Sequence, residues 1–270
     1  MQAVAELRPY EIYAIKYGDH DRLASENFIG GDPHNGPMPI DYFTWVIKGP
    51  DRTWAVDTGF DFEVGKRRGR NVIRCPSEGL KALEIDPGKI ADVIVTHMHY
   101  DHCGNHGLFE RARFHLQDKE MFYSTGRCMG HGMLRHSFDV DDVVTMERRV
   151  YDGRTVFHDG DEELAPGISV HFVGGHTMGL QMVRVWTKRG WVVLASDASH
   201  YYANMEQARP YPTVYNVADM LAGHKKAYAL ASSPRHVIPG HDPLVLKRYP
   251  APRPELRGII ARLDVEPVAD

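Results

Sequence analysis

Hydrophobic and polar positions along the 270 residues fall into short apolar runs cut by glycine and proline turns, with two longer stretches at helical spacing. Residues 11–17, Glu-Ile-Tyr-Ala-Ile-Lys-Tyr, alternate as a strand does, because successive side chains of an extended chain face opposite ways. Tyr42 to Lys48 and Thr53 to Val56 read as two strands joined by Gly49-Pro50-Asp51. Pro76 opens a helix with Leu80, Leu83 and Ile85 apolar and Pro87 as its stop. Ile90-Ala91-Asp92-Val93-Ile94-Val95 is a nearly continuous apolar run, the pattern of a strand buried on both faces. Phe109 to Phe114 and Lys119 to Tyr123 are short and ambiguous. Residues 124–150 read as an insertion bordering the pocket, with Phe138 to Met146 helical. Residues 167–173 alternate again, and Leu180 to Trp186 and Trp191 to Leu194 form a hairpin across Lys188-Arg189-Gly190. Asn216 reads as an N-cap for a helix with Val217, Met220, Leu221, Ala227, Tyr228 and Ala231 at helical spacing, ended by Ser233-Pro234. Arg235 to Ile238 is a last short strand, and the proline-rich tail from Tyr249 is extended at first.

Each half therefore mixes strands with one well-marked helix. That predicts an α/β molecule of two mixed sheets flanked by helices, one domain over residues 1–270. Residues 18–41 read as a long loop, which in a compact domain is functional or mobile. Phe28, Ile29, Met38 and Tyr42 are apolar for such a loop and suit either a substrate mouth or the contact of a homodimer. His20 and His34 read as plain loop histidines.

Charge and cysteine content exclude several classes. The formal net charge is −4 with both signs scattered, and no basic block is long enough for a nucleic-acid footprint. Lys66-Arg67-Arg68, flanked by glycines, reads as a solvated turn. Three cysteines (Cys75, Cys103, Cys128) indicate no disulfide framework. Met1 to Tyr17 lacks the apolar core of a signal peptide, and no run of 18 apolar residues exists to span a membrane. The cytoplasm is the expected compartment.

The chemistry lies where apolar runs end. Val95 is followed by Thr96-His97-Met98-His99-Tyr100-Asp101-His102-Cys103-Gly104, three imidazoles and a carboxylate in six positions. Neutral imidazole nitrogens and carboxylate oxygens are what borderline divalent metals bind. A lone histidine there would read as a surface residue. Three further runs, however, end at a ligand type: Val173 before His176, Leu194 before Asp197, Ile238 before His241. Strand ends share one rim of a layered fold, so five histidines and two aspartates meet there, enough for two metal ions. Asp57, closing another strand, could brace a ligand from behind. Cys128, His131 and His136 fit no tight zinc spacing. Cys103 reads as a small packing residue, His224 as a core or rim histidine, and His106 as a supporting or surface residue.

With these residues in order, the chain resembles the metallo-β-lactamase superfamily: His97-x-His99-x-Asp101-His102 matches its signature, and His176, Asp197 and His241 match its later ligand positions. The resemblance implies an αββα sandwich with His97, His99 and His176 on one metal, Asp101, His102 and His241 on a second, and Asp197 bridging. It implies two divalent ions, zinc first, with iron, cobalt and manganese as alternatives. Asp197 where zinc β-lactamases carry cysteine, His99 where electron-transfer members carry an acid, the short tail after His241 and the lack of basic surface leave the N-acyl homoserine lactonase-like group as most similar. Asp197-Ala198-Ser199 and the following helix match that group; His200 stands where it commonly has tyrosine, with Tyr201 next.

The implied activity is opening of a lactone ring, best an N-acyl homoserine lactone (quorum quenching), by a metal-bridging hydroxide. Asp101 would shuttle the proton, and His200 or Tyr201 would donate to the oxyanion. Another lactone, ester or thioester, or metal binding without catalysis, are the competing readings. The expected partner is thus a small lactone or ester, with neither nucleic acid nor membrane.

Overall fold

Strands that are apolar on both faces need cover on both faces, and the chain supplies it with two sheets stacked between helices. The computed structural model describes residues 7–268; the start of the Met1–Tyr17 stretch and both ends of the predicted 1–270 domain lie outside the described residues. The strands are β1 (Glu11–His20), β2 (Ile40–Lys48), β3 (Thr53–Val56), β4 (Asn71–Val72), β5 (Asp92–Ile94), β6 (Arg113–Gln117), β7 (Thr155–His158), β8 (Glu162–Ala165), β9 (Ile168–Phe172), β10 (Gln181–Thr187), β11 (Gly190–Ser196), β12 (Val237–Pro239) and β13 (Ile260–Arg262). The first sheet runs β13-β1-β2-β3-β5-β6-β7, with β4 also on β1, and the second β12-β11-β10-β9-β8. Antiparallel pairs and parallel pairs (β3–β5, β5–β6, β6–β7, β11–β12) make both sheets mixed.

Alternation sorts the core into layers. Ile12 and Ala14 of β1, Phe43, Trp45 and Ile47 of β2, and Ile94 of β5 point between the sheets, where they meet Val183 and Val185 of β10 and Val192 and Leu194 of β11. Their neighbours Tyr13, Ile15, Val46 and Val93 face outward, under helices α2 (Pro76–Ala82), α4 (Asp118–Thr125) and α6 (Val140–Tyr151). On the far side, Met182, Val193 and Ala195 pack beneath α7 (Tyr202–Glu206) and α8 (Val217–Leu230). This is the helix–sheet–sheet–helix sandwich expected from the sequence. Each fully buried aliphatic or aromatic side chain in it contributes about 1.5–3 kcal/mol.

Local departures have local causes. Lys66-Arg67-Arg68 is not a solvated turn but the last turn of α1 (Phe62–Arg68), capped by Asp61, whose carboxylate accepts the Val64 amide, and ended by Gly69 at φ 66°. The α2 helix stops at Ala82, before Pro87, because the chain turns at Glu84 with φ 61°. The 124–150 helix starts at Val140, where the Asp139 side chain accepts the Asp141 amide. Strand β1 continues to His20, so the long loop begins later than expected. The extended tail closes with β13, which pairs with β1. The remaining helices are α3 (Tyr100–Cys103), α5 (Gly132–Arg135) and α9 (Leu244–Arg248). Among the described residues no helix is long and apolar enough to cross a membrane.

Candidate metal centre

Strands β5, β9, β11 and β12 all end on one rim, and the residues that follow them are buried together there. Past β5 the chain turns so that His97 and His99 flank Met98, and the four-residue α3 presents Asp101 and His102. The turn is held from outside by Glu120 of α4. One carboxylate oxygen accepts the Met98 amide at 2.8 Å; the other accepts the Thr177 hydroxyl at 2.7 Å and the Gly179 amide at 2.9 Å. Glu120 thus ties the His97–His99 turn to the turn carrying His176. Burial raises its carboxyl to about 6. No sequence signal singled it out: it lies in the ambiguous piece Lys119–Tyr123.

Two sets of donor atoms result. In the first, His97 Nε2 is 3.1 Å from His99 Nδ1, which is 2.8 Å from His176 Nε2. In the second, His102 Nε2 and His241 Nε2 are 3.3 Å apart, with Asp101 Oδ2 at 3.6 and 3.7 Å from them. Asp197 stands between the sets. Its Oδ1 is 3.3 Å from His102 Nε2 and 3.0 Å from His241 Nε2; its Oδ2 is 3.3 Å from His176 Nε2. All seven side chains that the sequence singled out are buried and brought together.

The far side of each ring fixes what its inner nitrogen offers. His176 Nδ1 lies 2.7 Å from the Thr213 carbonyl and His241 Nδ1 2.8 Å from the Asp41 carbonyl. A carbonyl only accepts, so both Nδ1 atoms carry the proton and both Nε2 atoms present lone pairs inward. His102 Nδ1 is held the same way by Asp57 Oδ2 at 2.7 Å. Asp57, at φ 60°, also accepts the Thr96 amide and hydroxyl, so it braces both the His102 ring and the end of β5.

Burial drives His97 and His99 well below the usual histidine range and lowers His176, with neighbouring histidines adding to it in each case. Burial acts the same way on His102 and His241, but the Asp197 and Asp101 carboxylates outweigh it and raise both. Asp197 is pulled well below the ordinary carboxylate range: burial opposes ionisation, and His241, His102 and His200 override it. Its Oδ1 is buried with no hydrogen-bond partner. Seven nitrogen and carboxylate donors converging in one buried cluster, with Asp197 Oδ1 making no hydrogen bond, are the donor set a pair of divalent cations requires, so the residues fit such ions.

The two remaining candidates lie differently. His200 lines the pocket; its Nε2 donates to Asp197 Oδ2 at 2.9 Å, and its ring stacks on Tyr211 at 3.4 Å and 12°. The Tyr211 hydroxyl in turn donates to the Asp197 carbonyl. Tyr201 points away from the cluster: its hydroxyl is 3.2 Å from the carbonyls of Met38 and Pro39, holding the long loop. Tyr42, which lies in β2 and not in that loop, walls the pocket; of the loop, Phe28 is buried under the Arg209 guanidinium, while Ile29 is exposed. His20, read as a plain loop residue, also lines the pocket, as do His136 and Ser137 from the 124–150 segment. Cys103 packs in the core, as expected.

A family model described as the metallo-beta-lactamase superfamily matches residues 39–249. The N-acyl homoserine lactonase AttM of Azorhizobium caulinodans is 30% identical over 172 residues, covering 61% of this chain and 62% of its own length. An N-acyl homoserine lactonase of a Bacillus species is 27% identical over 169 residues, 62% and 58%. The chain thus spans about three fifths of the length of these curated relatives. Among solved structures, a quorum-quenching N-acyl homoserine lactone lactonase superposes with a TM-score of 0.72 at 19% identity, covering 88% of this chain and 93% of that one. AidC, a dizinc quorum-quenching lactonase in complex with its product, superposes at 0.69 with 13% identity, covering 87% and 88%. At those identities the superpositions establish the shared fold.

Proposed function

The chain belongs to the metallo-beta-lactamase superfamily, and from that premise we propose that it is a metal-dependent hydrolase that opens a lactone ring, with N-acyl homoserine lactones as the substrate class. The observation that carries this reading is the buried convergence of inward-facing nitrogens around Asp197, whose Oδ1 has no other partner. The names of the relatives supply the substrate class.

His97, His99 and His176 would hold one ion, Asp101, His102 and His241 the other, and Asp197 both. Bound there, two divalent cations, zinc in the first instance, supply a nucleophilic water at neutral pH and polarise the substrate carbonyl. Ring opening adds water across the ester bond: a C–O bond forms at the carbonyl, the ring C–O bond breaks, and one proton must reach the leaving alkoxide. Asp101 is the carboxylate at the pocket floor that takes the proton from the water and returns it to the ring oxygen. His200, on the pocket wall, would meet the carbonyl oxygen by turning its Nε2 proton away from Asp197 Oδ2. Tyr201, its hydroxyl engaged by two loop carbonyls, positions the loop instead. A cytoplasmic location goes with this reading.

The test is ring opening of N-butanoyl homoserine lactone by metal-loaded protein, followed by proton release, with metal content measured in parallel. We expect about two equivalents of metal and one proton per turnover. Metal-loaded protein that leaves the lactone intact would overturn the substrate assignment. A second reading, hydrolysis of a different lactone, ester or thioester on the same donors, is favoured by one observation: the pocket wall is ionic.

A further inference from the structure

The pocket above the donor cluster is small and carries charge where an alkyl chain needs apolar surface. Its volume is about 230 Å³, below the roughly 300–1,000 Å³ of pockets that enclose drug-sized ligands. Ile40 is the one aliphatic side chain among the described residues lining it. Three arginines, Arg22, Arg68 and Arg70, line it against a single added carboxylate, Glu26.

These arginines lack the carboxylate partner that several others have. Arg52, Arg67, Arg113, Arg209 and Arg262 each lie within ion-pair distance of a carboxylate. Among the described residues, Arg22, Arg68 and Arg70 have no such partner, although all three are partly buried. A partly buried guanidinium can be satisfied by backbone carbonyls, as Arg154 and Arg184 are, but three of them on the wall of one pocket give it a positive field that favours an anion.

Arg70 is also held in place. Its Nε donates to the Tyr100 hydroxyl at 3.1 Å, its Nη1 lies 2.8 Å from His20 Nε2, and Tyr100 in turn meets the Tyr42 hydroxyl at 3.1 Å. Burial and the neighbouring arginines lower His20, which leaves its Nε2 free to accept. The Nη2 of Arg70 makes no hydrogen bond to any described residue. Arg68 lies 4.1 Å over the Tyr100 ring and donates to the carbonyls of His136 and Phe138. Arg22 donates to the Glu26 carbonyl from the loop side. Gly69, at φ 66°, turns the chain between Arg68 and Arg70 so that both face the pocket.

We propose that the natural substrate is compact and bears a carboxylate on the portion away from the scissile ester bond, received by Arg70 Nη2 in the field of Arg22 and Arg68. This rests on the reading that the donor cluster opens that ester. It replaces the alkyl tail of a fatty acyl lactone with an anionic one. Recognition runs through a guanidinium already fixed by Tyr100 and His20, so little side-chain entropy is lost on binding.

The experiment compares two ligands that differ only in a terminal methyl against a carboxylate, N-butanoyl-homoserine and N-succinyl-homoserine, by calorimetry on metal-loaded protein at low salt. We expect the succinyl compound to bind about tenfold more tightly, with the ratio shrinking at high salt. Arg70→Gln and, on the loop, Arg22→Gln should each move the ratio toward one, and Arg70→Lys should restore part of it. Equal affinities, or a ratio unmoved by both glutamine variants, would overturn the proposal. Turnover of the two parent lactones is scored separately. If the binding preference stands and neither lactone opens, the lactone reading fails alone. If both open at equal kcat/KM and their products bind equally, the anionic-tail proposal fails alone.

Discussion

Asp197 is the residue on which the donor cluster turns, since it is the carboxylate whose two oxygens face different histidine sets. Asp197→Ala should abolish both metal uptake and hydrolysis, and elemental analysis beside an activity assay checks it; a variant poor in metal yet fully active would refute the assignment. Asp57 supports from behind. Its replacement by Asn keeps the volume but weakens the grip on His102 Nδ1, and loss of such a partner costs about 10–100-fold in metal affinity. Competition with a chelator measures it. Glu120→Ala strands the Met98 and Gly179 amides and the Thr177 hydroxyl, each worth about 1–3 kcal/mol when buried unpaired, so a thermal melt should show a loss of several kcal/mol. The residues of the cluster were legible in the sequence because each follows an apolar strand. The direction of a side chain two or three places further on was not. His200 turns to Asp197 and Tyr201 to the loop because of Tyr211 and the Met38–Pro39 backbone, neither of which is near them in the chain.

Turns and helix ends set the pocket's precision. Gly240, between β12 and His241, lies so close to β11 that an added Cβ would come 2.6 Å from Asp197 Oδ1 and 2.8 Å from the Ser196 backbone. Gly240→Ala should therefore lower metal affinity more than it lowers the melting temperature of the metal-free protein, and measuring both separates the two effects. At the start of α6, Asp142 is raised to about 8 by burial first and then by Asp139, Asp61 and Asp141. The folded protein holds that proton while the unfolded chain, with an ordinary carboxyl near 3.9, releases it. Stability from this group is thus present at acid pH and drains away as pH rises from about 4 to 8, by up to about 5 kcal/mol. Asp142→Asn should flatten that slope in melts taken across the range. The long strands and α8 were legible because their period is long enough to count. The α1 helix was not, being seven residues, basic at its end, with Gly65 inside it and Gly69 ending it. That is also why the pocket arginines were hidden: a basic triplet looks solvated until β4 pairs with β1 and Gly69 turns Arg70 inward.

Across the whole molecule, metal binding and folding are linked, because the donors gather only when both sheets are assembled. Chelation should lower the melting temperature and re-addition of zinc should restore it, since a ligand held by the native state alone stabilises it in proportion to the logarithm of its concentration. No change in melting temperature on chelation would contradict this. Two layers of sheet flanked by helices were legible from the mix of strands and helices in each half, and the αββα sandwich from the family resemblance; the closing of the first sheet by β13 was not, since three residues after a run of prolines carry little pattern. That late strand lies along β1, with Ala14 opposite Ala261 and the Leu263 amide donating to the Ile12 carbonyl. Clipping the chain after Arg257 would strip this border and leave the Ile12–Lys16 stretch of β1 with open amides and carbonyls, ready to recruit a neighbouring molecule. Shortened forms should thus clump at concentrations where the intact protein stays dispersed, a difference light scattering reads directly.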